Sequence, residues 1–152
     1  MSKSHSMAGW RQGIVIGKKD FIDWVMRVKS NVDSGMFRPM MKAAVTALNC
    51  PDSYFVELNN AYRARRVAAE KIMQHLGCEF DPKQRGLFLW GRIPEHFANC
   101  EELTEPILHK ARVFMTPGFI FGKNGERFVR ISLCAPFEKM QEALLRIRKA
   151  GL

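Results

Sequence analysis

The sequence predicts an α/β fold of the α+β type, in which helices pack against a small mixed or antiparallel sheet. Three observations favour this class. Apolar residues recur at helical spacing in several segments, short alternating or wholly apolar runs typical of strands stand between them, and turn-forming residues separate the two. From residue 51 onward the predicted order is helix, strand, helix, strand, strand, helix, which suits a two-layer domain.

The first third of the chain predicts one short strand and two helices. Residues 11–17 contain the apolar run Ile14-Val15-Ile16, closed by a glycine, which indicates a strand. Apolar side chains at three- and four-residue spacing predict a helix over residues 18–30 and another over residues 37–49. Between them, Asn-Val-Asp-Ser-Gly at residues 31–35 is a turn by composition.

The middle of the chain predicts its longest helix, over residues 51–77. Pro51 suits the first turn of a helix, and Gly77 stands just past the last apolar residue of the stripe. A helix of about 25 residues extends for roughly 37 Å. That length exceeds the need of one compact domain and is typical of a helix that links two bodies.

The last half of the chain predicts three strands and two helices. The strands are expected at residues 86–91, 113–115 and 127–133. One helix is expected over residues 101–111 with Pro106 in its first turn, and a final amphipathic helix begins near Phe137 and ends at Gly151. These elements would form the sheet and its helical cover.

Composition excludes several classes of function. The net charge of +9 is compatible with a nucleic-acid surface, but no dense basic run with interleaved aromatic residues accompanies it, so nucleic-acid binding is not expected. No apolar run reaches the ~18 to 20 residues that span a bilayer. The four cysteines are dispersed, without a histidine at ligand spacing, which argues against a metal site and a disulfide framework. We expect a cytoplasmic protein.

Three basic side chains suit the binding of a carbonyl or anionic ligand. Lys3 offers an amine that can attack an aldehyde, although a lysine at such a position is most often a mobile surface group. Arg11 stands at the start of the predicted strand, ahead of its apolar run, where it can bind a phosphate or be an ordinary strand-end charge. Arg130 lies in mid-strand on the face opposite Val129 and Ile131, where it needs either a salt bridge or a ligand.

Two motifs stand near the ends of the chain. The first is the pair Ser2-Lys3, then Arg11 eight residues after the lysine, and then the glycine-bounded apolar run. The second is Pro-Gly-x-x-Phe-Gly at residues 117–122, followed by Gly125 and by Arg-Ile-Ser at residues 130–132. In this order they resemble the lysine segment and the end segment of the pyridoxal-phosphate-dependent aminotransferases of the aspartate aminotransferase type (classes I and II, fold type I).

The resemblance implies pyridoxal 5'-phosphate as cofactor and an amino-group transfer between an L-amino acid and a 2-oxo acid. It assigns to Lys3 the Schiff base with the cofactor and the transfer of the substrate α-proton. It assigns to Arg11 the cofactor phosphate and to Arg130 the substrate α-carboxylate. It also implies a homodimer whose active sites lie between two subunits. The Pro-Gly and Phe-Gly pairs are interpreted as turn-forming residues only.

The resemblance also implies a domain organisation in which the chain is the C-terminal part of such an enzyme. Residues 1–50 would end the large cofactor domain, residues 51–77 would be the linking helix, and residues 78–152 would form the small domain. In the family the groups that hold the cofactor ring come from segments upstream of the lysine. We therefore expect the isolated chain to bind the cofactor weakly, to have little activity and to carry Lys3 on a loose tail.

Two alternatives to transamination stay open. A C–S lyase or another pyridoxal-phosphate enzyme of the same fold would share Lys3, Arg11 and Arg130. A non-catalytic basic binding module could reuse the fold without its chemistry. Affinity for nucleic acid that falls steeply with salt would favour the binding module.

Overall fold

The computed structural model describes residues 1–152 and separates into two compact units, a first unit of residues 1–57 and a second unit of residues 58–152. The first unit contains α1 (Lys19–Val32) and α2 (Arg38–Leu48), and the long α3 (Asp52–His75) begins in it and continues into the second unit. The second unit adds β1 (Phe88–Arg92), α4 (Cys100–Pro106), β2 (Thr116–Pro117), β3 (Phe128–Ser132) and α5 (Phe137–Lys149).

The strand predicted at residues 11–17 is absent, and that prediction is wrong. Apart from Arg11, which closes a turn, these residues have no regular secondary structure, and Ile16 is 89% exposed. A strand needs a neighbouring strand to satisfy its backbone hydrogen bonds, and the first unit contains none. The apolar run is present in the sequence, but the first unit contains no strand with which residues 11–17 could pair.

The two helices of the first unit lie close to their predicted bounds. The first runs two residues into the predicted turn, to Val32, and the turn proper begins at Asp33. There the Asp33 carboxylate accepts a hydrogen bond from the Gly35 amide at 3.0 Å. Asp33 also pairs with Lys29 one turn earlier, which supports the last turn of the helix.

The long helix α3 confirms its prediction, with 24 residues and a glycine just past its end. Gly77 adopts a left-handed conformation with φ +68°. The amide of Gly77 donates to the Gln74 carbonyl, and the amide of Cys78 donates to the Met73 carbonyl at 2.9 Å. This pair of bonds satisfies carbonyls that the helix end leaves free, which is why a glycine stands there. None of the helices, α3 included, combines the length and the apolar character of a membrane-spanning segment.

The second unit confirms the predicted small sheet, which is antiparallel with the order β1-β3-β2. The strand predicted at residues 113–115 is wrong in its bounds, because only Thr116 and Pro117 pair with β3. The central strand β3 pairs Arg130 with Trp90 on one side and with Thr116 on the other. Its side chains alternate as predicted. Val129 is fully buried, and Arg130 lies on the opposite face of the sheet because successive strand residues point in opposite directions.

One apolar core joins the sheet to α3, α4 and α5. Its largest fully buried members are Met73, Leu89, Ile93, Ile107, Leu133 and Ile147. The close approach of α3 to the sheet depends on Gly91 in β1. A Cβ atom at that position would lie 2.7 Å from the Met73 sulfur and 3.2 Å from the Cys78 Cβ.

The helix predicted over residues 101–111 divides into two parts. Asn99 caps α4 by accepting hydrogen bonds from the amides of Glu101 and Glu102, so the helix begins at Cys100. Pro106 consequently ends α4 instead of lying in its first turn, and the prediction of its position is wrong. Because proline has no amide hydrogen to donate, the regular ladder stops there, and residues 107–111 follow as a π-helical turn.

Candidate functional site

Lys3 lies in a tight turn that opens the first unit. The amide of His5 donates to the carbonyl of Met1 at 3.0 Å, which folds the chain around Lys3. The lysine side chain is exposed and takes part in no hydrogen bond or ion pair. Its amine is therefore available to a ligand.

Two side chains anchor the turn to the rest of the first unit. The His5 ring stacks on Tyr54 with centroids 6.1 Å apart and meets Phe55 edge to face at 5.4 Å. The buried Gln12 donates its side-chain amide to the carbonyl of Met40 in α2. The expectation of a loose tail at Lys3 is thus wrong, because the segment folds back onto the starts of α2 and α3.

His5 was not predicted to take part in a site, yet it is the histidine next to the lysine segment. Its Nδ1 lies 2.9 Å from the Ser4 hydroxyl, and its Nε2 is buried without a hydrogen-bond partner. The sequence contained no signal for the position of the His5 ring. Tyr54 and Phe55, which pack against it, are about fifty residues away along the chain.

Arg11 follows the short 3₁₀ turn Ala8–Trp10 and adopts a left-handed conformation with φ 51°. This conformation is costly for an arginine and is typical of positions where the surrounding structure determines the backbone. The guanidinium is exposed and is paired with no carboxylate. Like Lys3, it is a cation that no group of the chain neutralises.

Arg130 has a different environment, built from aromatic rings. Its guanidinium carbon lies 4.1 Å from the centroid of Phe88, 4.2 Å from that of Phe121 and 5.8 Å from that of Trp90. We call Phe88, Trp90 and Phe121 the ring triad. Arg130 is half-buried, forms no ion pair, and its Nε is buried without a hydrogen-bond partner. The salt bridge that the sequence left open as an alternative is absent.

The ring triad was missed by sequence reasoning, although part of its signal was present. Phe88 and Trp90 are two residues apart on β1 and so share a sheet face, and Trp90 is directly paired with Arg130. Phe121 was interpreted as a turn residue only. It reaches Arg130 because the loop after β2 folds back, a long-range arrangement that no local pattern reveals.

The glycines of the second motif explain how that loop folds. A Cβ on Gly118 would lie 2.3 Å from the Gly125 carbonyl oxygen and 2.6 Å from that of Phe128. A Cβ on Gly125 would lie 2.0 Å from the Gly118 oxygen. Backbone meets backbone at this point, so only glycine fits at either position. The contact closes the loop whose 3₁₀ turn, Gly118–Phe121, presents Phe121.

The candidate residues divide between the two units. Lys3 and Arg11 belong to the first unit, and Arg130 with the ring triad belongs to the second. A groove of about 1000 Å³ lies between α3 and α5 and contains none of them. No three His, Cys, Asp or Glu side chains gather in a group that could hold a metal ion.

Comparisons with known proteins match nearly the whole chain. The family described as "Aminotransferase class I and II" matches residues 1–147. LL-diaminopimelate aminotransferase from Gloeobacter violaceus is 35% identical over 99% of this chain and 38% of its own length. The enzyme of that name from Aquifex aeolicus is 34% identical over 100% of this chain and 39% of its own.

Solved structures show the same relationship. Substrate-bound BacF from Bacillus subtilis superposes with a TM-score of 0.87 at 33% identity, over 99% of this chain and 39% of that chain. A probable N-succinyldiaminopimelate aminotransferase from Thermus thermophilus gives a TM-score of 0.84 at 31% identity, over 98% of this chain and 40% of that one. The chain thus spans about 39% of the length of these relatives.

Proposed function

The chain belongs to the class I and II aminotransferases, and we propose that the whole protein transfers an amino group between an L-amino acid and a 2-oxo acid. The observation that supports this most directly is the environment of Arg130. A half-buried guanidinium without an anionic partner is a site for an anion that residues 1–152 do not supply. A substrate carboxylate has the charge and the planar geometry to fill it.

The cofactor of this family is pyridoxal 5'-phosphate, and the lysine segment has groups that suit it. The phosphate needs cations, and Arg11 offers an exposed, unpaired guanidinium. The aldehyde needs a free amine, and Lys3 offers one. When bound, the cofactor supplies an electron sink for the bonds at the substrate α-carbon. Lys3 and Arg11 would hold it.

Each of the three residues would have a distinct role in the reaction. Lys3 would take the proton from the substrate α-carbon and return it, because a free amine within reach can both accept and donate a proton. Arg11 fixes the phosphate end of the cofactor. Arg130 binds the α-carboxylate with its terminal nitrogens and so sets the orientation of the α-carbon.

The substrate is proposed from the names of the relatives. Two of them are called LL-diaminopimelate aminotransferase, so LL-diaminopimelate is the first amino donor to test. Homodimeric assembly and a cytoplasmic location also belong to this proposal. The family resemblance supports the homodimer, and the dispersed cysteines support the location.

The proposal is tested by amino-transfer assays on the whole protein. The protein is incubated with pyridoxal 5'-phosphate, LL-diaminopimelate or another L-amino acid, and a 2-oxo acid acceptor, and the new amino acid is quantified by chromatography. Lys3→Ala should abolish transfer, because no other amine replaces its side chain. Lys18→Ala is the matched control, since Lys18 is also an exposed and unpaired lysine of the first unit.

The same assay separates the alternatives. A C–S lyase would release thiol and 2-oxo acid from a thioether amino acid without any acceptor. A binding module would show neither reaction, and transfer that persists in Lys3→Ala would contradict the role of this lysine.

A further inference from the structure

We propose that the ring triad is a positioning device that holds Arg130 ready for a carboxylate, with Phe121 and Phe88 as its principal residues. This rests on the function proposed for Arg130 and adds residues that the family match does not assign. Both phenylalanine rings lie within 4.2 Å of the guanidinium carbon, inside the distance at which a cation is attracted to an aromatic face. They stabilise the cation without neutralising it.

The choice of rings over carboxylates has a functional consequence. An acidic neighbour would occupy the same donors that a substrate carboxylate needs, and the substrate would have to displace it. Rings leave those donors free. Nε is the one nitrogen of the Arg130 side chain that is buried without a hydrogen bond. The two terminal nitrogens are therefore the donors that can face a ligand.

Two sets of contacts hold the rings of the triad in place. Trp90 meets Phe121 edge to face, with centroids 5.2 Å apart and planes at 70°. Trp90 is itself paired with Arg130 across the sheet, and the contact between Gly118 and Gly125 closes the loop that carries Phe121. Phe121 remains 50% exposed and Phe88 37% exposed. Large apolar side chains that stay this exposed contribute little to the core, which favours a role at the site.

The first test uses nuclear magnetic resonance on the 152-residue chain. The Arg130 Nε–H signal is assigned by its loss in Arg130→Lys. It should be shifted upfield by the rings and protected from exchange with water by the burial of Nε. Phe121→Leu should move it downfield and speed its exchange, whereas Phe119→Leu should change neither. Phe119 is the matched control because it lies in the same 3₁₀ turn, is 41% exposed and makes no ring contact with Arg130.

The second test measures amino transfer by the whole protein. Phe121→Leu should raise the KM for both the amino acid and the 2-oxo acid about five- to twenty-fold, the range expected for loss of one partly desolvated cation–π contact, with kcat nearly unchanged. Phe121→Tyr keeps an aromatic ring, so its KM should equal that of the unmodified protein. Phe88→Leu should reproduce the effect, and Phe119→Leu should behave as the unmodified protein.

The outcomes distinguish this inference from the proposed function. If Arg130→Lys raises KM but Phe121→Leu and Phe88→Leu do not, the ring triad has no positioning role and the inference is wrong. A fall in kcat at constant KM would also overturn it, because that result describes a role in the chemical step. If Arg130→Lys leaves KM unchanged, the proposed function of Arg130 fails, and the inference that rests on it fails with it.

Discussion

Arg130 is half-buried, and aromatic rings partly replace the water that its guanidinium loses there. Three rings lie within 5.8 Å of its guanidinium carbon. Removing a cation from water without a partner costs several kcal/mol, and the attraction to each ring offsets ~0.5 to 2 kcal/mol of that cost. The balance leaves a guanidinium that gains further stability when an anion arrives.

Arg130→Lys should therefore weaken substrate binding more than its retained charge suggests. Lysine lacks the planar fork that binds a carboxylate through two hydrogen bonds, so KM for both substrates should rise about tenfold to a hundredfold. Steady-state kinetics of the whole protein measure this. Arg148→Lys, on an exposed and unpaired arginine of α5, is the control. Equal KM values in the two variants would contradict the carboxylate role.

Cys78 provides a second prediction at this scale. Burial disfavours the thiolate and raises the pKa of its thiol to about 11. In the folded chain at pH 8 it should resist a thiol-directed reagent that labels the exposed Cys134 at once. Peptide mapping after a timed reaction measures both rates, and equal labelling would contradict the burial of Cys78.

The raised pKa of Cys78 determines how the free energy of unfolding changes with pH. Because the pKa of Cys78 is raised on folding, its contribution to the free energy of unfolding is fully present below the ordinary value of 9.0 and is lost as the pH rises toward about 11. Cys78→Ala should remove that pH dependence.

Arg127 joins β3 to the segment that follows β1. Its guanidinium donates to the backbone carbonyls of Phe97 and Ala98, and to that of Pro94 at 3.0 Å. Arg127→Ala would leave the carbonyls of Phe97 and Ala98 without donors, while that of Pro94 keeps the Phe97 amide. We expect it to lower the free energy of unfolding by about 2 to 3 kcal/mol. Urea titration followed by circular dichroism measures the loss. Arg148→Ala, which removes no such bond, should cost less than ~0.5 kcal/mol.

Gly91→Ala tests the packing of α3 on the sheet. The added methyl group would meet the Met73 side chain, which is fully buried and cannot move into solvent. We expect a destabilisation of about 1 to 3 kcal/mol, typical of an overpacked core. Gly13→Ala is the control, since nothing lies within 4 Å of a Cβ at that position. Equal thermal unfolding midpoints for the two variants would contradict the close approach of Met73 in α3 to Gly91 in β1.

The elements that the sequence predicted well are those whose signals are local. The alternation around Arg130 in β3 and the glycine after α3 depend only on neighbouring residues, and both predictions were confirmed. The strand at residues 11–17 failed because a strand also depends on a partner from elsewhere. Phe121 was misjudged for a similar reason, because a backbone contact between two glycines decides what its ring touches.

At the scale of the whole molecule, the proposed chemistry is shared between two compact units. The first carries the cations Lys3 and Arg11, and the second carries Arg130 in its ring triad. The chain spans about 39% of the length of its relatives, so transamination is a proposal about the whole protein. The basic net charge of +9 is consistent with a site that takes up anionic groups, since cofactor phosphate and substrate carboxylates are all anions.

The most direct test of this account locates the cofactor on the chain. The whole protein is incubated with pyridoxal 5'-phosphate, reduced with borohydride and digested, and the phosphopyridoxyl group is mapped by mass spectrometry. We expect one modified peptide that carries the group on Lys3, with no modification of Lys18 and none in Arg11→Ala at limiting cofactor. A modification spread over many lysines, or confined to a lysine other than Lys3, would contradict it.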